Sequence, residues 1–305
     1  MLSLFNSLSL DLSRKEILGV VGESGSGKST LAYAVTRLLP GNARILSGEI
    51  TFDGQPILRM SEAEMRGVRG KKITMVFQDP STSLNPVFRI KDQLLRIIKE
   101  NVGLDGIPAR QHAIQLLREV ELPDPPGVMD SFPFELSGGM QQRVMIAMAL
   151  SSNPSLIIAD EPTSSVDATI QEQILHLFKR LRGERGFSMI LITHSIAVAE
   201  EVCDRIAVMY AGDIAEEGPA HRVIESPKHP YTEALVRSIP RPGEGRTRKE
   251  DLPVVAGQVP DLRSPPSGCR FHPRCPYIMD VCTGEKPAFY PADGARTLCY
   301  LYEGK

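Results

Sequence analysis

The architecture of this chain follows from one segment, Gly22-Glu23-Ser24-Gly25-Ser26-Gly27-Lys28-Ser29-Thr30. An apolar run, Ile17 to Val21, precedes the segment and predicts a buried strand. The residues after it are apolar at the spacing of one helix face: Leu31, Val35, Leu38 and Leu39. A strand, a glycine-rich loop and a helix in this order are the setting that the phosphate-binding pattern G-x-x-x-x-G-K-[ST] requires.

This loop has the chemistry of a site for nucleotide phosphates. Its glycines let backbone N–H groups curl around a β-phosphate, and the start of the following helix adds partial positive charge. Lys28 can reach the β- and γ-phosphates, and the hydroxyl of Ser29 can bind Mg²⁺. We therefore expect all of residues 22–30 to take part in binding a nucleotide and its Mg²⁺.

Composition narrows the class of protein. The chain has 305 residues and a net charge of −2, from 35 basic and 37 acidic residues. A balance this even predicts no nucleic-acid partner. No apolar run approaches the roughly 20 residues of a membrane span, and the start of the chain lacks the pattern of a signal peptide. We expect a cytosolic protein that could dock on a membrane protein.

Beyond the loop, strands alternate with helices, which predicts an α/β core with a mainly parallel sheet. The predicted strands are Leu2–Leu12, Gly48–Gly54, Ile73–Phe77, Leu156–Asp160, Met189–Ile192 and a hairpin, Ile206–Glu217. The predicted helices are Asp92–Glu100, one that begins near Pro108, one capped by Ser137, one from Ile170 to Gly183, and Val198–Cys203. The segment Pro240–Gly268 is rich in proline and glycine and predicts a linker.

Four strand ends, including the one at the loop, carry polar residues. Ligands of open α/β sheets bind at the carboxyl ends of strands, so these residues are expected at one edge of the sheet. Asp160 would hold Mg²⁺, and Glu161 would orient or deprotonate an attacking water. Gln78 is a further candidate for nucleotide and Mg²⁺ binding, and His194 would contact the γ-phosphate.

One motif carries a family resemblance. Leu136-Ser137-Gly138-Gly139-Met140-Gln141-Gln142-Arg143 resembles the signature of ATP-binding-cassette ATPases. Gln78 then corresponds to the Q-loop, and Ile157-Ile158-Ala159-Asp160-Glu161-Pro162-Thr163 resembles the Walker B segment. Ser164–Asp167 lies at the D-loop position, and His194 at that of the switch histidine. The resemblance implies an ATPase with a P-loop core, a mainly parallel sheet and an inserted helical subdomain.

The same resemblance implies a dimer. In this family the signature helix of one subunit faces the γ-phosphate that the other subunit holds. Backbone N–H groups at the start of a helix favour an anion, which suits the two glycines of the motif. The resemblance implies a second ATPase subunit, identical or different. It also implies D-loop Asp167 and four residues that contact the partner's ATP: Ser137, Gly138, Gly139 and Gln141.

Three stretches narrow the resemblance to the ATPases of dipeptide, oligopeptide and nickel importers: Gln78-Asp79-Pro80-Ser81-Thr82-Ser83-Leu84-Asn85-Pro86, His229-Pro230-Tyr231-Thr232 and Gly268-Cys269-Arg270-Phe271-His272-Pro273-Arg274-Cys275-Pro276. This likeness implies a peripheral subunit on the cytoplasmic face of the membrane. Its partners would be another ATPase subunit, two membrane permeases and an extracytoplasmic binding protein. Peptides are the expected cargo, and nickel or another chelated metal is the alternative.

The C-terminal part of the chain contains four of the five cysteines: Cys269, Cys275, Cys282 and Cys299. Four thiolates can hold Zn²⁺ or an iron–sulfur cluster. The spacings are wider than those of most zinc sites, and the family resemblance implies a [4Fe–4S] cluster, with Zn²⁺ or free thiols as alternatives. Cys203 is expected to be an ordinary core residue.

The predicted organisation is a nucleotide-binding domain at residues 1–226, with a helical subdomain at about 79–152, and a C-terminal extension at 227–305 that contains a small irregular cysteine-rich tail. About sixteen residues precede the strand before the loop, so the family's N-terminal strand and adenine-stacking ring are expected to be absent or replaced. Phe5 is the candidate ring. A regulatory cassette with a metal-sensing tail is the alternative from another class.

Overall fold

The computed structural model describes residues 4–5, 8–239 and 257–304. The chain forms two compact units. The first, here the loop unit, comprises Met1–Leu12, Glu16–Leu31 and Leu191–Lys305; the second, here the helical unit, comprises Ser13–Lys15 and Ala32–Ile190. The predicted linker falls largely on residues 240–256, which lie outside the described residues.

The strands of the described chain are β1 (Ile17–Val21), β2 (Thr51–Phe52), β3 (Gln55–Pro56), β4 (Ile73–Val76), β5 (Leu156–Asp160), β6 (Ser188–Thr193), β7 (Arg205–Tyr210), β8 (Asp213–Pro219), β9 (Tyr290–Ala292) and β10 (Ala295–Thr297). The helices are α1 (Lys28–Thr36), α2 (Glu62–Arg66), α3 (Pro80–Ser83), α4 (Ile90–Val102), α5 (Gly106–Glu119), α6 (Pro125–Asp130), α7 (Gly138–Leu150), α8 (Ala168–Arg185), α9 (Ile196–Val202), α10 (Ala220–Glu225), α11 (Pro230–Arg237) and α12 (Val281–Gly284).

The loop unit contains a sheet in which the end of β6 is followed by β1, β7, β8, β10 and β9. β1 is parallel to β7, whereas β7, β8, β10 and β9 form antiparallel pairs. All five residues of β1 are buried, which explains why its sequence is a continuous apolar run. Helix α9 packs on β1, where the sulfur of Cys203 lies against Gly19. Cys203 is therefore a core residue, as predicted.

The helical unit contains β4, β5 and the start of β6 in that order, with β4 parallel to β5. Helices α4, α5, α6 and α7 pack on one another, and α7 also packs on β4. Most of α7 is buried, which is why its sequence is apolar on nearly every side. The α/β class and the parallel central strands are as predicted.

Some predicted elements differ from the structure. Residues 8–12 alternate between half-buried and exposed, yet none of them is in a strand. Gly183 does not end its helix; α8 continues to Arg185, where the Arg185 guanidinium binds Glu119 at 3.0 Å. Gly186 ends it instead, with a φ of 73° that glycine adopts at little cost.

The cysteine-rich tail is more regular than predicted. β10 pairs with β8, opposite Glu216 and Glu217, and so extends the sheet of the loop unit. The guanidinium of Arg296 binds the buried carboxylate of Glu217 at 3.0 Å. The pairing was not visible in the sequence because β9 and β10 are only three residues long and carry no hydrophobic alternation.

Over the described ranges, every helix is too short or too polar to cross a bilayer.

Candidate functional site

The glycine-rich loop is held by close backbone contacts within the loop unit. A Cβ atom on Gly22 would lie 2.1 Å from the carbonyl oxygen of Met209 on β7, so only glycine fits there. The carbonyl of Ser26 accepts a hydrogen bond from the N–H of Gly212, in the turn between β7 and β8, at 2.8 Å. The loop therefore has one fixed path between β1 and α1. Ser24 and Gly25 form its exposed tip.

Lys28 is buried at the base of this loop. Its Nζ atom donates to the carbonyl oxygens of Gly22 at 2.7 Å and Glu23 at 3.0 Å. The ammonium thus lies across the start of the loop, the position from which a lysine can reach phosphate oxygens. Ser29 and Thr30 follow it in the first turn of α1.

Two further residues hold the loop, and sequence reasoning assigned them no role. The N–H of Glu23 donates to the phenol oxygen of Tyr231 at 2.9 Å. The guanidinium of Arg274 donates to both carboxylate oxygens of Glu23, at 2.7 and 3.0 Å. Tyr231 and Arg274 lie in the stretches His229–Thr232 and Gly268–Pro276, which the sequence analysis uses only for the resemblance to importer ATPases. Phe5, the candidate adenine-stacking ring, lies beside Gly27 of the loop.

In the helical unit, the candidate carboxylates follow β5. Asp160 is the buried last residue of that strand, and Glu161 comes next with a φ of 45°. A non-glycine residue in this left-handed region is strained, and such residues cluster at functional sites. The amide Nε2 of Gln78 donates to the Glu161 carboxylate at 3.1 Å. The structure thus brings together two residues that are far apart in the sequence.

The signature motif forms the start of α7. The Ser137 hydroxyl accepts from the N–H of Met140 at 3.3 Å, and both Ser137 and Gly138 are exposed. A Cβ atom on Gly139 would lie 2.9 Å from a methyl group of Ile170 on α8. The amide of Gln141 donates to the carbonyls of Pro133 and Leu136, so it supports the loop before the helix. The start of α7 is therefore exposed to solvent, while Gln141 and the contact with α8 fix its position on the protein side.

The D-loop and switch positions lie next to capped helix starts. The Asp167 carboxylate caps α8 by accepting from the N–H of Ile170 at 3.0 Å. In the loop unit, His194 is exposed and follows β6, the neighbour of β1 in the sheet. The hydroxyl of Ser195, which follows His194, caps α9 by accepting from the N–H of Val198 at 3.4 Å. Serine is one of the residue types that favour this capping position.

The four clustered cysteines line one cavity of the loop unit: Cys269, Cys275, Cys282 and Cys299. Burial raises the pKa of Cys269 to about 12 and that of Cys299 to about 11. In the described parts of the chain, no three of these thiols bring their sulfur atoms within 4.8 Å of one another. Around one tetrahedral Zn²⁺ with Zn–S bonds of about 2.3 Å, the sulfur atoms would be about 3.8 Å apart.

Comparison with known proteins places these features in a family. Residues 5–164 match the family described as ABC transporter, and residues 215–282 match the C-terminal region of oligopeptide/dipeptide transporters. The dipeptide transport ATP-binding protein DppD of Escherichia coli K12 is 43% identical over 294 residues, 96% of this chain and 89% of that protein. The oligopeptide transport ATP-binding protein OppD of Salmonella typhimurium LT2 is 42% identical over 296 residues, 97% and 87% of the two chains.

Solved structures give the same result. One is a dimeric structure of the ATP-binding cassette MJ0796 in a post-hydrolysis state bound to ADP and Pi. It superposes with a TM-score of 0.63 at 30% identity, over 71% of this chain and 90% of that chain.

Proposed function

Because the chain belongs to the ABC transporter family, we propose that it is the ATP-hydrolysing subunit of an importer of dipeptides or oligopeptides. Both the match to the transporters' C-terminal region and the names of the relatives support this cargo. The observation that carries the proposal is the geometry at Glu161. This carboxylate directly follows Asp160, has a strained backbone and is held by Gln78.

Each residue of the candidate site has a role in this proposal. The loop residues, 22–30, bind the phosphates of ATP, with Lys28 at the β- and γ-phosphates. Mg²⁺ would neutralise charge on these phosphates, with Ser29, Asp160 and Gln78 as its ligands. Glu161 orients or deprotonates the attacking water, and His194 contacts the γ-phosphate. Gln78 is suited to its role because its nitrogen donates to Glu161, which leaves its amide oxygen as the acceptor.

We propose that the signature residues act on the ATP of a second subunit. The exposure of Ser137 and Gly138 at the start of a 13-residue helix supports this assignment. The other subunit would be a different ATPase, as in a heterodimer, and Asp167 would lie at the contact between them.

We propose that the helical unit docks on the membrane permeases. The large apolar side chains that it exposes near the Q-loop and signature segments in the sequence include Val87 at 72%, Phe88 at 51% and Phe134 at 70%. Exposed apolar side chains of this size favour a protein partner. Two permeases and an extracytoplasmic binding protein would complete the importer, with this chain peripheral on the cytoplasmic face. Residues 1–226 and 227–305 remain the proposed domains.

We propose that the four cysteines hold a [4Fe–4S] cluster. The fit rests on their donor chemistry, since four thiolates are the ligand set of such a cluster. Their spacing in the structure is wider than one Zn²⁺ requires. In a four-iron cluster each thiolate binds a different iron atom, so its sulfurs are farther apart. Zn²⁺ remains the alternative.

A substitution at Glu161 tests the ATPase assignment. Glu161→Gln keeps the size of the side chain but removes the base, so we expect ATP binding to persist while phosphate release falls at least about 100-fold. Glu49→Gln, at an exposed glutamate of the same unit, is the matched control and should leave the rate unchanged. A normal rate in Glu161→Gln would remove Glu161 from this role. Co-purification with membrane permeases from native membranes is expected for a transport subunit, and its failure there would favour the regulatory cassette instead.

A further inference from the structure

We propose that Arg274 is a positioning residue for the phosphate-binding loop. It would act through Glu23 and set the affinity for ATP. The inference rests on the proposed ATPase function, and it assigns that function a residue from the cysteine-rich tail. Arg274 does not belong to the phosphate-binding pattern and is far from it in the sequence.

The ion pair between the two residues has a geometry that fixes both. The guanidinium donates to the two carboxylate oxygens of Glu23 at 2.7 and 3.0 Å, as a two-pronged pair. The Arg274 side chain is 5% exposed and that of Glu23 is 27% exposed, so solvent screens the pair only in part. Two-pronged arginine–carboxylate pairs are stronger and more directional than single contacts.

Aromatic side chains hold Arg274 in place from the other side. Its guanidinium carbon lies 5.6 Å from the ring centre of Tyr210 and 5.9 Å from that of Phe271, and a nitrogen donates to the Tyr210 hydroxyl at 3.3 Å. The rings of Tyr210 and Phe271 pack edge to face, 5.1 Å apart. Arg274 therefore cannot turn away from Glu23 without losing several contacts.

Glu23 connects this cluster to the phosphate-binding lysine. Its N–H donates to the hydroxyl of buried Tyr231, and its carbonyl accepts from Nζ of Lys28. The side chain, the N–H and the carbonyl of Glu23 are thus each held by a different residue. A loop fixed in this way presents its N–H groups to phosphate without first having to be ordered.

Charge gives a second reason for the pair. Glu23 places a carboxylate within a loop that binds a highly anionic ligand, and like charges at such distances repel. Arg274 neutralises this carboxylate. Loss of Arg274 should therefore weaken ATP binding both by loosening the loop and by exposing the triphosphate to an unpaired negative charge. The rate at saturating ATP depends on Glu161 and should change much less.

The position of Arg274 ties this effect to the tail. It ends a short 3-10 helix, His272–Arg274, between Cys269 and Cys275, which line the same cavity. The segment that holds these thiols is therefore also the segment that holds the phosphate loop.

The test measures binding of a fluorescent ATP analogue with Mg²⁺ to the full chain. We expect Arg274→Met to raise the Kd about tenfold. Arg274→Lys keeps the positive charge but cannot donate to both carboxylate oxygens in the same way, so it should give an intermediate Kd. Arg263→Met is the matched control: Arg263 lies in the same C-terminal region, its side chain is 82% exposed, and it pairs with Asp261 two residues away, so this variant should leave the Kd for the analogue unchanged. Circular dichroism would confirm that each variant folds.

A double variant separates a specific effect from a general one. If Arg274 acts through Glu23, then Arg274→Met should change the Kd less than twofold in a Glu23→Gln background. Additive effects, or a normal Kd in Arg274→Met, would overturn the inference. If Arg274→Met fails to fold, the effect of Arg274→Lys on the Kd, with and without Glu23→Gln, tests the inference instead. A wild-type chain that does not bind the analogue would instead overturn the proposed function and this inference with it.

Discussion

At the scale of single residues, backbone geometry marks the positions with the least freedom. Gly22 lies so close to Met209 that no side chain fits, and Glu161 adopts a left-handed conformation unusual for its type. Both residues belong to motifs that sequence analysis had selected for their chemistry. The structure adds a steric reason for glycine at position 22 and shows a strained backbone at Glu161.

The steric argument predicts the effect of Gly22→Ala. The added methyl group must displace the loop or β7, which should cost about 1–3 kcal/mol of stability and weaken ATP binding at least tenfold. Thermal unfolding and analogue binding would measure the two effects. Gly41→Ala is the control, because Gly41 is exposed, has no positive φ and has no atom near its hypothetical Cβ. An unchanged affinity in Gly22→Ala would show that the loop can move away from β7.

At the scale of elements, α7 combines a buried body with an exposed start. Its body is buried among α4, α5 and β4, while its first residues stay exposed. The buried Arg143 donates to the carbonyl of Val120 and to the carboxylate of Glu121, which anchors the helix to the end of α5. This anchoring explains how a helix start can be open to solvent and still be well positioned.

Removing two similar helix caps can separate an effect on stability from an effect on ATPase activity. Ser137→Ala and Ser61→Ala each remove an N-cap in the helical unit, at α7 and α2, so each should cost about 1 kcal/mol of stability. Only Ser137 is proposed to contact a partner's ATP. We therefore expect Ser137→Ala to lower the ATPase rate of the assembled importer at least tenfold, while Ser61→Ala leaves it unchanged. Equal rates in the two variants would contradict the proposed role of the signature.

At the scale of the whole molecule, the C-terminal region contributes to the loop unit in two ways. It adds β10 and β9 to the edge of the sheet, and it holds Glu23 of the phosphate loop through Tyr231 and Arg274. The loop unit contains residues from both the first and the last parts of the chain. The tail is thus part of the structure that surrounds the nucleotide loop.

The proposed cluster predicts the metal content of the purified chain. Anaerobically prepared protein should contain iron rather than zinc and absorb in the visible range, and Cys282→Ser should lose most of the iron. Cys203→Ala is the matched control, because it removes a thiol that lies on β1 rather than in the cavity. Zinc in place of iron would favour the alternative site. Absence of both metals would contradict any metal centre.

Much of the fold and of the candidate site could be predicted from local patterns. The strand, loop and helix around Lys28, the strand that ends at Asp160 and the cap at Ser137 all depend on neighbouring residues, whose periodicity and type are visible in order. The same holds for the hairpin of β7 and β8, where Ala211 and Gly212 both take a positive φ.

What required the tertiary structure are contacts between distant residues. The pairing of β10 with β8 and the ion pair from Arg274 to Glu23 join segments that carry no mutual signal in the sequence, and the direct bond from Gln78 to Glu161 is a detail that their predicted position at one sheet edge does not give. An arginine between two cysteines is compatible with many surroundings, because a charged side chain can reach solvent or any carboxylate nearby. In the folded chain Arg274 lies against Tyr210 and Phe271, and there its guanidinium reaches the carboxylate of Glu23.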